Sequence, residues 1–366
     1  MDPQLVNRML ELAIAIQQIP APTFNEGERG AYVQDRFHQE GLVDIAVDEV
    51  GNVYGRLPGK TSSQPIVISA HLDTVFPIET DLHIERLEDK ITGPGIGDNA
   101  VGVAGLFGLL WEMDQRQVVL NSDLWLVADV GEEGLGNLRG MRALVDRFGD
   151  QPRAYLVLEG MALGQIYHRG LGVSRYRITV KTSGGHSWVD YGKPSAVHEL
   201  AHIITRLHAL EIPEQPRTTL NVGVIAGGSS VNTIAAEAHL DLDLRSEDQS
   251  TLGDLVSKVN SVIQNFQSPD VRISSELIGQ RPVGEISPHH PLVVIAEKGL
   301  ETVGIQPRLN IGSTDANIPL SLDYPAICIG LTTGDGAHTV NEFIHTSPLL
   351  KGVHQLLWIV EALDGE

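Results

Sequence analysis

Leu5, Met9, Leu12 and Ile16 recur three or four positions apart, which predicts an amphipathic helix at the start of the chain. Pro20 and Pro22 end it. A second helix is expected from about Glu26 to Glu40, stopping at Gly41, followed by short strands near Asp44–Val47 and Asn52–Leu57. Ile66-Val67-Ile68, Leu124–Val127 and Tyr155–Leu158 are short, continuous apolar runs. Such runs predict strands buried on both faces, as in a parallel or mixed sheet with helices outside. Val101–Leu110 and Asn137–Phe148 supply the helices between them.

The pattern changes near Gly170-Leu171-Gly172. From there to about Ile278 strands are expected near Ser174–Thr182, Thr219–Ile225, Glu237–Arg245 and Val271–Leu277, with helices near Val197–His208 and Leu252–Gln267. That is a layer of helices on an antiparallel sheet. After Pro282 the α/β pattern returns, with helices near Pro291–Val303 and Ser347–Ala362 and a strand at Ala326–Gly330. The expected fold class is therefore α/β. A mixed, mostly parallel sheet flanked by helices is divided over residues 1–171 and 282–366, and an α+β domain is inserted at 172–281.

Composition narrows the function. The 366 residues are 42% apolar and 20% charged, which is ordinary for a globular chain able to bury a full core. The net charge is −21, which disfavours nucleic acid and anionic membrane surfaces as partners. No run of about 18 apolar residues predicts a membrane span. Met1-Asp2-Pro3-Gln4 lacks the basic start of a signal peptide. The single cysteine, Cys328, lies in the apolar run Ala326–Ile329 and reads as a buried small hydrophobe. Together these lead us to expect a cytoplasmic protein.

In open α/β sheets the ligand site lies beyond the carboxyl ends of the strands. His71 and Asp73 follow the first buried run, Glu132 and Glu133 the second, and Glu159 the third. Asp98 follows the turn Gly93-Pro94-Gly95-Ile96-Gly97, and His338 follows the strand Ala326–Gly330. One acidic residue after a strand reads as a helix cap or a solvated turn. Five such positions together would repel one another unless divalent cations neutralised them. Imidazole and carboxylate are suitable zinc ligands, and cobalt or manganese serves the same set.

A two-metal assignment follows. Asp98, a short carboxylate at a helix start, bridges the pair; His71 and Glu159 complete one site, Glu133 and His338 the other. Asp73 is placed to orient His71, and Glu132 remains as the general base. A nucleotide-binding reading of the glycine-rich turn lacks both the following Lys-Ser/Thr and the dinucleotide glycine spacing. A non-catalytic binding protein on the same fold is the remaining alternative, and an intact Glu132 beside a full ligand set argues against it.

His71-Leu72-Asp73-Thr74-Val75, Asp98, Gly131-Glu132-Glu133-Gly134, Glu159 and His338-Thr339-Val340-Asn341-Glu342 resemble the di-zinc exopeptidase family. That family includes glutamate carboxypeptidase, peptidase T, carnosinase, aminoacylase, acetylornithine deacetylase and succinyl-diaminopimelate desuccinylase. The resemblance begins at Ile19-Pro20-Ala21-Pro22-Thr23-Phe24 and covers nearly the whole chain. It implies two zinc ions per chain and hydrolysis of small peptides, or of N-acyl amino acids as the close alternative. It also implies a cis peptide after Asp98 and an inserted domain that acts as lid and dimerisation surface of a homodimer. In Asp98-Asn99-Ala100 the chain departs from the second acidic residue that many members carry after the bridge. Within the insert, Ser183-Gly184-Gly185-His186-Ser187 matches a Gly-His motif whose histidine steadies the oxyanion in dimeric members. Asn232 and Arg245 match segments that hold substrate; as bare residues, His186 reads as a turn residue and Arg245 as a strand-surface ion pair. Gly312-Ser313-Thr314-Asp315 resembles another substrate-facing loop.

Overall fold

The computed structural model describes residues 3–61 and 63–365; Met1 and Asp2, part of the segment read for signal-peptide character, lie outside it. The chain divides into two compact units, residues 1–170 with 284–366, and residues 171–283.

The first unit is built on a nine-stranded mixed sheet. Its order is Val43–Val47, Val53–Leu57, Ser122–Asp129, Ser63–His71, Ala154–Glu159, Ala326–Gly330, Gln165–Gly170 and Gly284–Glu285, with Arg308–Gly312 beside Gln165–Gly170. The four strands from Ser122–Asp129 to Ala326–Gly330 run parallel, so their carboxyl ends share one edge of the sheet. The strands flanking this group pair with it antiparallel. Alternation along the strands serves both faces. Tyr54 meets Phe148 of the helix Arg139–Phe148 on one face. Its neighbour Gly55 leaves room on the other for Phe37, which packs on Phe107.

The helix Val101–Arg116 is buried continuously from Val101 to Met113, so it is an interior helix rather than an amphipathic one. It packs against the strands Ser63–His71 and Ala154–Glu159 and against the helices Pro3–Gln17 and Leu349–Gly365. Close approach requires its glycines: a Cβ on Gly105 would lie 2.1 Å from Leu331, and one on Gly108 2.5 Å from Met9. Short strands at Lys90–Thr92 and Phe343–His345 and the strands Gln165–Gly170 and Arg308–Gly312 were not expected from the pattern. Each is short or polar, so its apolar period is too brief to stand out.

The second unit is a four-stranded antiparallel sheet in the order Thr218–Gly227, Glu237–Ser246, Gly172–Lys181, Arg272–Arg281. Glu237–Ser246 alternates strictly: Ala238, Leu240, Leu242 and Leu244 are buried. They join Leu200, Ile203, Leu255 and Val259 of the helices Ala196–His208 and Gln249–Gln264 in a separate core. The opposite face carries ion pairs between Arg175 and Asp243 and between Arg177 and Asp241. No helix among the described residues is long and apolar enough to cross a membrane.

Candidate metal centre

His71 and Glu159 are the last residues of adjacent parallel strands, and Glu132 and Glu133 follow a third. The common strand edge brings them together with Asp98, which sits in the one-turn element Ile96–Ala100 before the buried helix. The two oxygens of Asp98 face different imidazoles. Oδ1 lies 3.1 Å from His71 Nε2, and Oδ2 lies 3.2 Å from His338 Nε2. His71 Nε2 is 3.8 Å from Glu159, and His338 Nε2 is 3.0 Å from Glu133. Two triads result, His71–Asp98–Glu159 and Asp98–Glu133–His338; within each the donor atoms lie within 4.8 Å of one another.

Whether such a cluster suits metal ions is decided by how its buried atoms are satisfied. His71 Nδ1 is 3.0 Å from the carbonyl oxygen of Asp73, which can only accept, so Nδ1 carries the proton. Nε2 therefore faces the triad, where the neutral ring would offer its lone pair, and this buried atom has no hydrogen-bond partner. Burial raises the carboxyls of Glu133 and Glu159 to about 7. Burial also resists the charge on Asp98, but His338 and His71 hold its carboxyl below the usual carboxylate range. Asp98 and Glu133 push His338 up to about 10. For His71 burial works the other way, yet Asp73, Asp98 and Glu159 raise it well above the ordinary imidazole value. Protein alone thus offsets these charges by protonating the imidazoles and by keeping Glu133 and Glu159 partly neutral. Divalent ions would relieve the same repulsion and, in place of the Nε2 proton, take that nitrogen's lone pair, so the donor set fits them.

Several residues hold this arrangement, and spacing alone did not assign them. The Asn99 side chain donates to Leu158 O at 2.8 Å and accepts from Gly160 N at 3.0 Å, clamping the backbone on both sides of Glu159. A carboxylate there would lack the donor to Leu158 O. The Asp98–Asn99 peptide is cis, as the resemblance implied. The Glu342 carboxylate accepts from the amides of Gly95, Gly97 and Asp98, at 3.2, 2.6 and 2.8 Å, and so fixes the turn that carries Asp98. Its carboxyl is raised to about 7 by burial, against those three bonds. Glu342 lies within the family-like segment His338–Glu342, but nothing in that segment marks a role for it.

Asp73 acts on two neighbours. Its carboxylate is 3.6 Å from His71 Nδ1, farther than its own carbonyl oxygen. The same carboxylate accepts from Glu132 N at 3.0 Å, Glu133 N at 2.9 Å and Thr23 Oγ1 at 2.8 Å. It therefore shapes the Glu132-Glu133 turn, while its carbonyl sets the His71 tautomer. Asp315, on the loop matched to a substrate-facing segment, is 1% exposed. Burial first, and then the nearby Asp129, drives its carboxyl well above the usual range. His168 is buried with Nδ1 2.7 Å from Ile286 O and has a packing role.

In the second unit, His186 and Asn232 lie near each other. His186 pairs with Thr233 across two short strands, and Ser187 N donates to Asn232 O at 3.1 Å. Arg245 projects from the polar face of Glu237–Ser246, and its Nε donates to Asp243 Oδ2 at 2.7 Å. That contact is the strand-surface ion pair.

A mixed sheet with metal-suited carboxylates and imidazoles at its parallel edge, plus an inserted α+β unit, defines the class of metal-dependent peptide and amide hydrolases. Comparison with known proteins agrees. Residues 52–168 match the model of peptidase family M28, and residues 169–271 match the peptidase dimerisation domain of the M20 group. The chain is 24% identical over 377 residues to the Bacillus subtilis protein YqjE, covering 97% of this chain and 98% of that one. It is 26% identical over 311 residues to an acetylornithine deacetylase of Klebsiella pneumoniae, covering 80% of this chain and 78% of the relative. The fold is that of a Staphylococcus aureus tripeptidase, with a TM-score of 0.84, 21% identity and 99% coverage of both chains. The chain is thus similar to peptidases and deacylases of the M20 group over most of its length.

Proposed function

We propose that this protein is a two-zinc exopeptidase that cleaves di- or tripeptides. His71, Asp98 and Glu159 would hold one ion, and Asp98, Glu133 and His338 the other. The observation that carries this reading is the division of Asp98, with one carboxylate oxygen toward each imidazole. When bound, such a pair acidifies water and polarises a carbonyl. Glu132, whose backbone is fixed by Asp73, takes the proton of the attacking water and delivers it to the leaving amine. In a homodimer His186 would reach the active site of the partner subunit, as the family resemblance implies, and donate to the oxyanion that develops on the scissile carbonyl; Asn232 and Arg245 would contribute to holding substrate. The dimerisation-domain match supports a homodimer.

The test is Glu132→Ala. Turnover should fall by roughly 10²–10⁴, the usual contribution of a positioned acid–base group, with both metals retained. Unchanged turnover at full metal content would remove Glu132 from the reaction. A second reading, hydrolysis of N-acyl amino acids, is favoured by the similarity to acetylornithine deacetylase. It uses the same metals and base. A substrate panel containing both classes separates the two.

A further inference from the structure

His186 ends a Gly-Gly-His turn on an exposed segment that is closed by its own hydrogen bonds. Its backbone N–H donates to Asp190 Oδ2 at 2.8 Å, and Asp190 N–H donates back to His186 O at 2.9 Å. The other carboxylate oxygen, Oδ1, accepts from Lys193 Nζ at 2.8 Å. This closure holds the residues between, so that the amides of Trp188 and Val189 converge on His186 Nδ1 at 3.2 and 3.4 Å. Glycine is required at the approach: Gly185 has φ +155°, and a Cβ there would lie 2.8 Å from Asp190.

A ring nitrogen that accepts from N–H groups carries no proton, so the proton of the neutral imidazole resides on Nε2. The other tautomer would set Nδ1–H against two amide N–H groups. We propose that Asp190 is a positioning residue for His186, holding the turn in which Trp188 and Val189 present the imidazole as an Nε2–H donor. The proposal rests on the reading of His186 as a donor to the substrate oxyanion. It adds what fixes that donor: without the Asp190 closure the ring loses its two amide partners and samples both tautomers.

The experiment uses the full-length, metal-loaded enzyme with ¹⁵N-labelled histidine. The His186 resonances are identified by their absence in His186→Ala. Wild type should show a single Nε2–H tautomer for His186. Asp190→Ala should show a mixture, with kcat lowered about tenfold, KM within about twofold and metal content unchanged. Asp190→Asn keeps an acceptor for His186 N–H and should recover most of kcat and the single tautomer. Lys193→Ala, which removes only the ion pair, should keep both. A single Nε2–H tautomer in Asp190→Ala overturns the proposal, as does full kcat in that variant when His186→Ala is impaired. If the tautomer is lost in Asp190→Ala but His186→Ala turns over normally, positioning by Asp190 stands and the oxyanion role of His186 falls.

Discussion

At the scale of single residues, the centre depends on side chains that touch backbone around the proposed ligands. Asn99 is fully buried and uses both ends of its amide, one on each side of Glu159. Asn99→Asp would leave Leu158 O without its donor and add a charge beside Asp98. It should cost about 1–3 kcal/mol, the usual penalty for an unsatisfied buried polar group. A thermal melt of the metal-free protein reads this directly, and an unchanged midpoint would show that the clamp contributes nothing. Glu342→Gln keeps the shape but replaces one accepting oxygen with an N–H₂ facing amide donors. Metal affinity should fall roughly tenfold to a hundredfold, as for other residues that orient ligands. Competition with a chromogenic chelator measures it, and wild-type affinity would mean that the Gly95–Asp98 turn holds itself. The proposed ligands stood out in the sequence because histidine and carboxylates after buried strands are chemically conspicuous. Asn99 and Glu342 were not, because their roles are bonds to backbone distant in sequence, and no spacing rule reports those.

At the scale of elements, the site exists because parallel strands end together. The apolar runs at Ile66, Leu124, Tyr155 and Ala326 anticipated this, since a strand that reads as a continuous apolar segment is one buried on both faces, as in a parallel or mixed sheet. The alternation in Glu237–Ser246 was equally legible, and it also settles where Arg245 points. Strands such as Lys90–Thr92 were illegible because three residues make no period. Element ends also carry stability. Asp364, in the final helix, accepts from the amides of Asn121 and Ser122 at the start of the strand Ser122–Asp129. Burial opposes its charge, but those amides hold its carboxyl below the ordinary 3.8. A depressed folded-state value means that the stabilisation is complete above the unfolded value and is lost as pH falls through the folded one. The stability difference between wild type and Asp364→Asn should therefore be constant near neutrality and shrink below about pH 4. Chemical denaturation at several pH values tests this; a difference that grows toward acid would reverse the sign and refute it.

At the scale of the whole molecule, two hydrophobic cores form without shared members. The change of pattern near Gly170 and its reversal after Pro282 made a discontinuous arrangement legible, because an antiparallel α+β pattern differs in period from buried parallel runs. Gly170 and Gly284 are paired residues of adjacent strands, so the first unit closes on itself where the second departs. Replacing residues 171–283 with a short glycine-rich linker should leave a folded first unit that still binds two divalent ions. Loss of metal binding in a folded deletion variant would show that ligands are missing from the first unit. How the chain selects its substrate was the least legible property, since a pocket is a shape made by many ordinary side chains.

The most direct measurement is metal titration of the stripped protein, followed by hydrolysis of a panel of dipeptides, tripeptides and N-acyl amino acids. Two divalent ions sharing Asp98 require turnover that a chelator abolishes and that returns fully only as the second equivalent binds. Cleavage that survives complete metal removal, or full activity with one ion per chain, would contradict the two-metal centre.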